Sequence, residues 1–541
     1  MTSSVAENAT ESQKGQRSAF RLARTAGLVS VVGTAAAALG FFRETSLALR
    51  FGATAQMDAY VAANFIPRLV TAIAGGSLIP GFMLIFIRHW ESDKSQAWKF
   101  ASAVLNWTAA VYLACSLVLA ATASWWVSSV YPGYDSGTLA TTVWISALLL
   151  PAAGFVILAG LLTGILNSIG SFGLPAFAPG IASAAVIVGV LAVRGDRALL
   201  VASVVTAFSF ALQFLVQWPM ARRAGARLFR WTFRAEGMRE WLALSVPLIA
   251  YQAIAFGSAV IESRYASLLQ AGTVASLGYA MRLYTVPGTV LAGPLATVAY
   301  PELSRHAANK NWNSLRSDLS NTLRMTLFLF VPAAACLVAL SYPVTQLAFE
   351  HGAFDASATQ TTSSALAFYS LGLVPSAIAV VALRGLYAVS DMRSSVWVET
   401  VSLALYALIA GWLARNYRVS GLALARSLGF LCTTILLIIV LQRRTQFLNG
   451  GRQWIRFVFK TSVPSLVLAA GTYWAVTTAR GWLDGASVVE RAFFVGVAVS
   501  LFGAAYLVLT SMLRLEETGT LISWVKRRVL GSGQVPTGCG R

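Results

Sequence analysis

The chain has 541 residues, 57% of them hydrophobic and only 11% charged, with a mean hydropathy of +0.67. A soluble domain carries about 25% charged residues, and no soluble packing buries this much apolar surface, so the composition specifies an integral membrane protein. The net charge of +20 resides mostly in short segments between apolar runs and comes with no RNA-binding motif, which points to loops facing anionic lipid and excludes nucleic acid as a partner.

The first 24 residues are polar and basic, with Lys14, Arg17, Arg21 and Arg24. The apolar stretch behind them is too long for a cleaved signal peptide, so residues 1–24 are expected to be a cytoplasmic leader. A spanning helix needs about 20 apolar residues. By that rule an all-α, polytopic fold of about fourteen transmembrane helices follows. The first six are expected at 25–49, 58–88, 101–130, 139–167, 172–193 and 198–221, forming an N-terminal set over 25–221. A basic loop at 222–239 separates them from a C-terminal set over 240–442, with helices at 240–269, 274–303, 319–348, 360–389, 393–414 and 420–442. Residues 443–513 hold a second basic segment and helices 13 and 14 (456–478 and 489–513), and 514–541 form a tail. The loops "RHWESDKSQAWK", "ARRAGARLFRWTFRAEGMRE", "SRHAANKNWNSLR" and "QRRTQFLNGGRQWIRFVFK" all fall on one side. Under the positive-inside rule that side is the cytoplasm, and both termini lie there. Two sets of six entering from the same face suggest parallel repeats, a layout common in transporters.

The four cysteines and the three histidines (His89, His306, His351) are scattered and fit neither a disulfide nor a metal-site spacing. No metal and no cofactor are expected, and no extramembrane stretch is long enough for a catalytic domain.

Ionisable groups inside the spans are costly and therefore informative. Arg43 and Glu44 lie in helix 1, Asp58 and Arg68 in helix 2, Glu262 and Arg264 in helix 7, and Arg282 in helix 8. Glu399 and Arg426 lie in helices 11 and 12. At 1.5 Å per residue, the first pair of helices in each set places charge at similar depth, in the outer half of the bilayer. Arg43, Arg68, Arg264 and Arg282 are therefore candidates to ring a hydrated cavity with Asp58, Glu44 and Glu262 among them. The competing reading is structural: Arg43 with Asp58, or Glu262 with Arg282, would neutralise each other, and Arg50, Arg384 and Arg426 would snorkel to the interface. The excess of arginine favours an anionic ligand, and the fork geometry of its guanidinium suits phosphate. Asp58, Glu262 and Glu399 are the carboxylates that could couple transport to an ion. Glycine and proline punctuate "IAGGSLIPGF" (73–82), which leaves a hinge and an ordinary membrane helix equally open, and "VPGTVLAGPLATVAYPELSR" (286–305), where three prolines make helix 8 the one expected to bend.

Six patches in consistent order carry a family resemblance. A single N-terminal signature, "LGFFRE" (39–44) followed by "FGATAQMDAY" (51–60) and "IP" (66–67), resembles that of the MurJ/MviN lipid II flippases, as do "GILNSIGSFGLPAFAPGI" (164–181), "LGYAMRLYTVPGTVLAGPLATVAYPELSR" (277–305), "FEHGAFD" (349–355), "LRGLYAVSDMRSS" (383–395) and "GLALARSL" (421–428). The resemblance implies a flippase of the superfamily that also holds polysaccharide flippases and MATE exporters. Its cargo would be an undecaprenyl-pyrophosphate-linked glycan, most simply lipid II, moved from the inner to the outer leaflet of the bacterial cytoplasmic membrane for peptidoglycan synthesis. Membrane lipid and cell-wall synthesis proteins are the implied partners. Arg43, Asp58 and Arg282 fall on charged cavity positions of the family, so they and Arg68 and Arg264 are the substrate-binding candidates, with Glu262 and Glu399 as ion-coupling candidates. The chain also departs from the pattern. A usual arginine is Ala37, an arginine pair becomes Thr71 and Ala72, and "TP" becomes Ser394-Ser395. A flippase for an exopolysaccharide or another lipid-linked glycan, or a MATE-like exporter, is the alternative.

Overall fold

The computed structural model describes residues 31–195, 197–226, 232–292, 302–389, 391–448, 451–519, 521 and 523. The expected leader and most of the tail lie outside these residues. Every regular element among the described residues is helical. Among the described residues nine helical stretches, one of them the run Ala55–Ser92, are long and apolar enough to cross a membrane, and a bent pair makes a tenth.

The chain packs as two compact units. The first holds the described residues up to Ala275 together with His351–Phe354; the second holds Ser276–Glu350 and Asp355 onward. In the first unit the helices are α1 (31–51), α2 (Ala55–Ala63), α3 (Phe65–Ile73), α4 (Ile79–Ser92), α5 (Lys94–Ala121), α6 (Ala123–Val130), α7 (Ser136–Ser168), α8 (Gly173–Ala192), α9 (Ala198–Arg223) and α10 (Met238–Ser267). α11 (Thr273–Pro287) follows. In the second unit are α12 (302–308), α13 (Trp312–Ala339), α14 (Ser341–Phe349), α15 (Ala356–Leu371), α16 (Leu373–Ala388), α17 (Met392–Thr445), α18 (Gly451–Gly485) and α19 (Val488–Met512).

Polar residues start the helices where the apolar runs begin. Asp93 accepts the Ser95 amide at 2.7 Å, Asp135 the Gly137 amide at 2.9 Å and Asp355 the Ala358 amide at 2.8 Å. Ser487 and Glu490 close a capping box at α19. Each satisfies amides that a helix start leaves without partners. The Asp135 carboxyl, out in solvent, is held below the usual carboxylate range by the hydroxyl and amide of Thr138.

Helix 2 contains a π-helical turn, Ala74–Leu78, built from "AGGSL". Carbonyls beside a widened turn need other donors. Gln252 of α10 donates to the Ala72 carbonyl at 3.0 Å and the Trp241 indole to that of Leu78 at 3.2 Å. α10 is thereby tied to α3, the π turn and α4 within the first unit. A second π turn, Gly288–Ala292, follows Pro287; Pro294 and Pro301 lie outside the described residues.

Close approach between helices uses small residues, as expected where lipid gives no hydrophobic drive to pack. Gly160 and Gly164 of α7, four residues apart, face Ile79 of α4. A Cβ on Gly160 would sit 2.9 Å from the Ile79 Cδ1. Beside them Phe82, Phe86 and Phe100 stack at 5.5 Å centroid spacing in the first unit's buried core. In the second unit Leu319, Leu386 and Leu441 form the equivalent centre. Large exposed apolar side chains such as Val111, Leu117 and Val118 on α5 form the surface a bilayer would solvate.

Some boundaries differ from the sequence expectation. The span 319–348 is two helices that meet at Leu340, and 101–130 is two that meet at Thr122. Spans 11 and 12 both fall within α17, which breaks at Arg418, where φ is 50° and ψ is −128°. The basic loop at 222–239 does not coincide with the division between the compact units, because α10 packs on the first.

Candidate functional site

Among the described residues the sequence candidates fall in four polar centres. Three belong to the first unit and one to the second.

The first is built on α1, α2 and α9. Arg43 donates to the Glu44 carboxylate at 2.8 Å; the arginine side chain is 29% exposed and that of Glu44 only 8%. The sequence left open a pair between Arg43 and Asp58. The structure instead pairs Arg43 with its neighbour, and Glu44, which was not among the main candidates, is the buried counter-charge. Beside them Tyr60 is buried, with its hydroxyl 2.7 Å from that of Thr206. Glu44 lies within electrostatic reach of this tyrosine, and Arg43 and Arg68 both lie near enough to Tyr60 for their charge to act on it. Tyr60 and Thr206 were missed, because a lone hydroxyl in a span carries no sequence signal.

The second centre is Asp58, 3% exposed. Its two carboxylate oxygens accept the amides of Gly272 and Ala275, each at 2.7 Å. These amides belong to the start of α11, where no residue of the same helix can accept them. Gly272 has φ of +86°, and a Cβ there would strike the Ala53 carbonyl. The approach requires glycine. Asp58 was expected beside the ligand; its oxygens are engaged by backbone instead. The Tyr134 hydroxyl reaches the Asp58 carbonyl at 3.3 Å and stacks on Tyr131 at 5.0 Å.

The third is Arg264 at the last turn of α10. Its side chain is exposed and its guanidinium donates to the Ser129 carbonyl, one residue before the end of α6. This is a cation satisfying a helix C-terminus. Glu262, two residues earlier, is half-buried on another face. Arg50 makes a similar bond to Val193, the cap of α8.

The fourth centre is in the second unit. Arg426 lies 5.0 Å from the centroid of the Phe430 ring and 5.9 Å from that of Tyr406, and its charge acts on Glu399. Arg426 was expected to snorkel. It is half-buried instead, because two aromatic faces and a carboxylate hold it. Phe430 stacks on Tyr284 at 6.2 Å, and the Tyr284 hydroxyl bonds that of Ser376 at 2.8 Å. Arg282, half-buried on α11, is two residues from Tyr284 and so faces a different direction.

His306, which looked isolated in the sequence, lies 3.2 Å from Asp318 and 3.8 Å from Glu302, and the ligand atoms of the three lie within 4.8 Å of one another. Arg305 takes the same Glu302 oxygen at 2.6 Å, so the group is a mixed-charge cluster at the start of α13.

Two of these centres set a half-buried arginine near a carboxylate within apolar helices, Arg43 with Glu44 and Arg426 with Glu399.

The family model described as lipid II flippase MurJ matches residues 47–494. The lipid II flippase MurJ of Burkholderia cenocepacia is 30% identical over 487 residues, covering 86% of this chain and 92% of that protein. A structure titled lipid II flippase MurJ, inward closed conformation, has the same fold at a TM-score of 0.74 and 22% identity, over 90% of this chain and 98% of that one. An inward-facing multidrug resistance MATE family transporter of the MOP superfamily shares the fold more distantly, at a TM-score of 0.65 and 13% identity, over 76% of this chain and 94% of that one. The sequence patches, the multi-helix apolar fold and these matches agree: the chain belongs to the lipid II flippase MurJ family.

Proposed function

We propose that this protein moves lipid II, an undecaprenyl-pyrophosphate-linked glycan, from the inner to the outer leaflet of the bacterial cytoplasmic membrane, and so supplies peptidoglycan synthesis. The observation that carries this reading is the family match over residues 47–494, on a chain whose spans hold half-buried arginines. A diphosphate-sugar head cannot cross hydrocarbon unaided. Guanidinium groups replace its water and neutralise its charge, while the polyprenyl tail stays in lipid. No covalent bond changes, so the protein is a transporter rather than an enzyme.

The roles follow from the geometry. Arg43 and Arg68 offer charge beside Tyr60 in the first unit, with Glu44 holding Arg43 in place. Arg282 offers charge in the second. Arg264 contributes at the end of α10. Asp58 acts on the site by positioning the start of α11 rather than by touching substrate. Glu262 and Glu399 are the coupling candidates, and Glu399 already has a cation, Arg426, whose hold on it a bound ion or proton would change. Closure on one side and opening on the other would come from rocking of the two helix sets, with α10 moving with the helices of 25–221 on which it packs. Both termini would lie in the cytoplasm.

Depletion of the native lipid II flippase in a bacterial host, with this protein expressed in its place, tests the reading. Restored labelling of lipid II on the outer leaflet, lost again in Arg282→Ala at equal abundance, is the expected result. No restoration by protein verified in the membrane would reject lipid II as the cargo and move the reading to another lipid-linked glycan.

A further inference from the structure

A pocket of about 700 Å³ opens between α13, α18 and α19, lined by Arg324, Trp454, Arg456, Lys460 and Arg514. None of these residues belongs to the centres above, and all lie in the second unit. We propose that this pocket holds the headgroup phosphate of an anionic phospholipid of the surrounding membrane. The site is separate from that of the transported substrate and does not depend on its identity.

The pocket has a fixed floor and a free rim. Arg324 is bridged to the buried Glu517 at 2.7 Å and lies 4.9 Å from the centroid of the Phe457 ring. Lys460 donates to the Leu513 carbonyl at 2.6 Å, closing the end of α19. Arg456 and Arg514 are exposed at the rim. Four cations thus face Glu516 and, through Arg324, Glu517, leaving an excess of positive charge for an anion. Arg514 holds φ of 53°, a left-handed conformation that residues other than glycine adopt only under strain. Glycine would sit there without strain, so an arginine at this position is kept at a cost.

The neighbouring surface selects an amphiphile over a soluble phosphate. Ile455, Phe459, Val463 and Leu466 of α18 are spaced by four, four and three residues and are 73%, 68%, 38% and 65% exposed. That spacing makes one continuous apolar stripe leading away from the pocket. A phosphate held by Arg456 and Arg514 would place its acyl chains along the stripe. Trp454, half-buried at the pocket wall, is a residue type favoured at headgroup level. Basic pockets between membrane helices on the cytoplasmic side are suited to anionic headgroups, and the basic segment before α18 assigns this end to that face.

The test uses the full-length protein in neutral detergent, with binding read by native mass spectrometry and thermal stability. The probes are dioleoylphosphatidylglycerol, dioleoylphosphatidylcholine and sn-glycerol 3-phosphate. The variant R456A/R514G removes two rim cations, keeps the Arg324 and Lys460 bonds, and places glycine where φ is positive. R222A/R223A, at the exposed end of α9, controls for loss of charge in general. Phosphatidylglycerol should bind and stabilise the wild type and the control, and bind R456A/R514G about tenfold more weakly. Phosphatidylcholine should distinguish none of them. An equal effect from glycerol phosphate would overturn the lipid assignment in favour of a soluble phosphate. Equal binding by wild type and R456A/R514G, or an equal loss in the control, would overturn the site. R456A alone, at an exposed side chain, decides the matter at about threefold should the double variant be poorly produced.

Discussion

Asp58 on α2 accepts the backbone amide of Gly272 at 2.7 Å, a bond between residues 214 positions apart. A second oxygen takes the amide of Ala275. One buried carboxylate therefore fixes the start of α11, the helix that carries Arg282 and Tyr284. Charge in the first unit's second helix is spent on setting where the next candidate helix begins.

Asp58→Ala leaves two buried amides without acceptors. Hydrogen bonds to charged groups contribute about 1.5–3 kcal/mol each, so destabilisation of several kcal/mol is expected, seen as a lower melting temperature in detergent. Asp58→Asn keeps an acceptor and should lose less. Gly272→Ala should resemble Asp58→Ala, because its Cβ meets the Ala53 carbonyl at a positive φ. Normal melting of Asp58→Ala would show that the carboxylate has no positioning role.

Arg43 and Arg282 should separate in their behaviour. Arg43→Ala removes the guanidinium that bridges the buried Glu44 carboxylate, and breaking a buried pair costs about 3–5 kcal/mol. Its abundance should fall, and R43A/E44Q should recover abundance but not transport. Arg282→Ala should lose transport at normal abundance. Outer-leaflet lipid II labelling alongside immunoblotting reads both, and transport at wild-type rate by R43A/E44Q would remove Arg43 from the substrate path.

Glu399 and Arg426 should be coupled. Arg426→Ala leaves Glu399 half-buried without its nearby cation, while the double variant E399Q/R426A removes both charges. A double-mutant cycle on thermal stability should give a coupling of about 0.5–3 kcal/mol. Additive effects would mean that the two act independently.

Asp391, the cap of α17, gives a pH dependence outside the spans. Burial alone would raise its carboxyl, but the hydroxyl and amide of Ser394 and the Arg444 guanidinium at 2.9 Å outweigh that and hold it below the usual carboxylate range. Its stabilising effect is therefore fully present above about pH 4, the ordinary carboxylate value, and is lost as the pH falls through the lower folded-state value. Asp391→Asn retains a capping side chain without the charge. The melting-temperature gap between wild type and Asp391→Asn should be constant from pH 7 to about 5 and shrink below about pH 4. A gap independent of pH would assign the effect to packing.

The amino-acid sequence alone determined the membrane class, the helical architecture and the family. Each follows from features local in the chain: runs of about 20 apolar residues, basic loops, aspartate and serine caps, and six motif patches in order. The π turn in helix 2 was not fixed by sequence, because the glycines and proline of "IAGGSLIPGF" left a hinge and an ordinary helix equally open. The partners of the charges were decided only by tertiary structure. Spacing placed Arg43, Asp58 and Arg68 at similar depth, yet it could not say that Arg43 turns to Glu44, that Asp58 reaches Gly272, or that Arg426 lies between two aromatic rings beside Glu399. A buried charge must find a partner wherever packing brings one, and in these helices the partner was an adjacent residue, a backbone amide or an aromatic face. Sequence spacing records depth along a helix; it does not record which neighbour the helix turns toward.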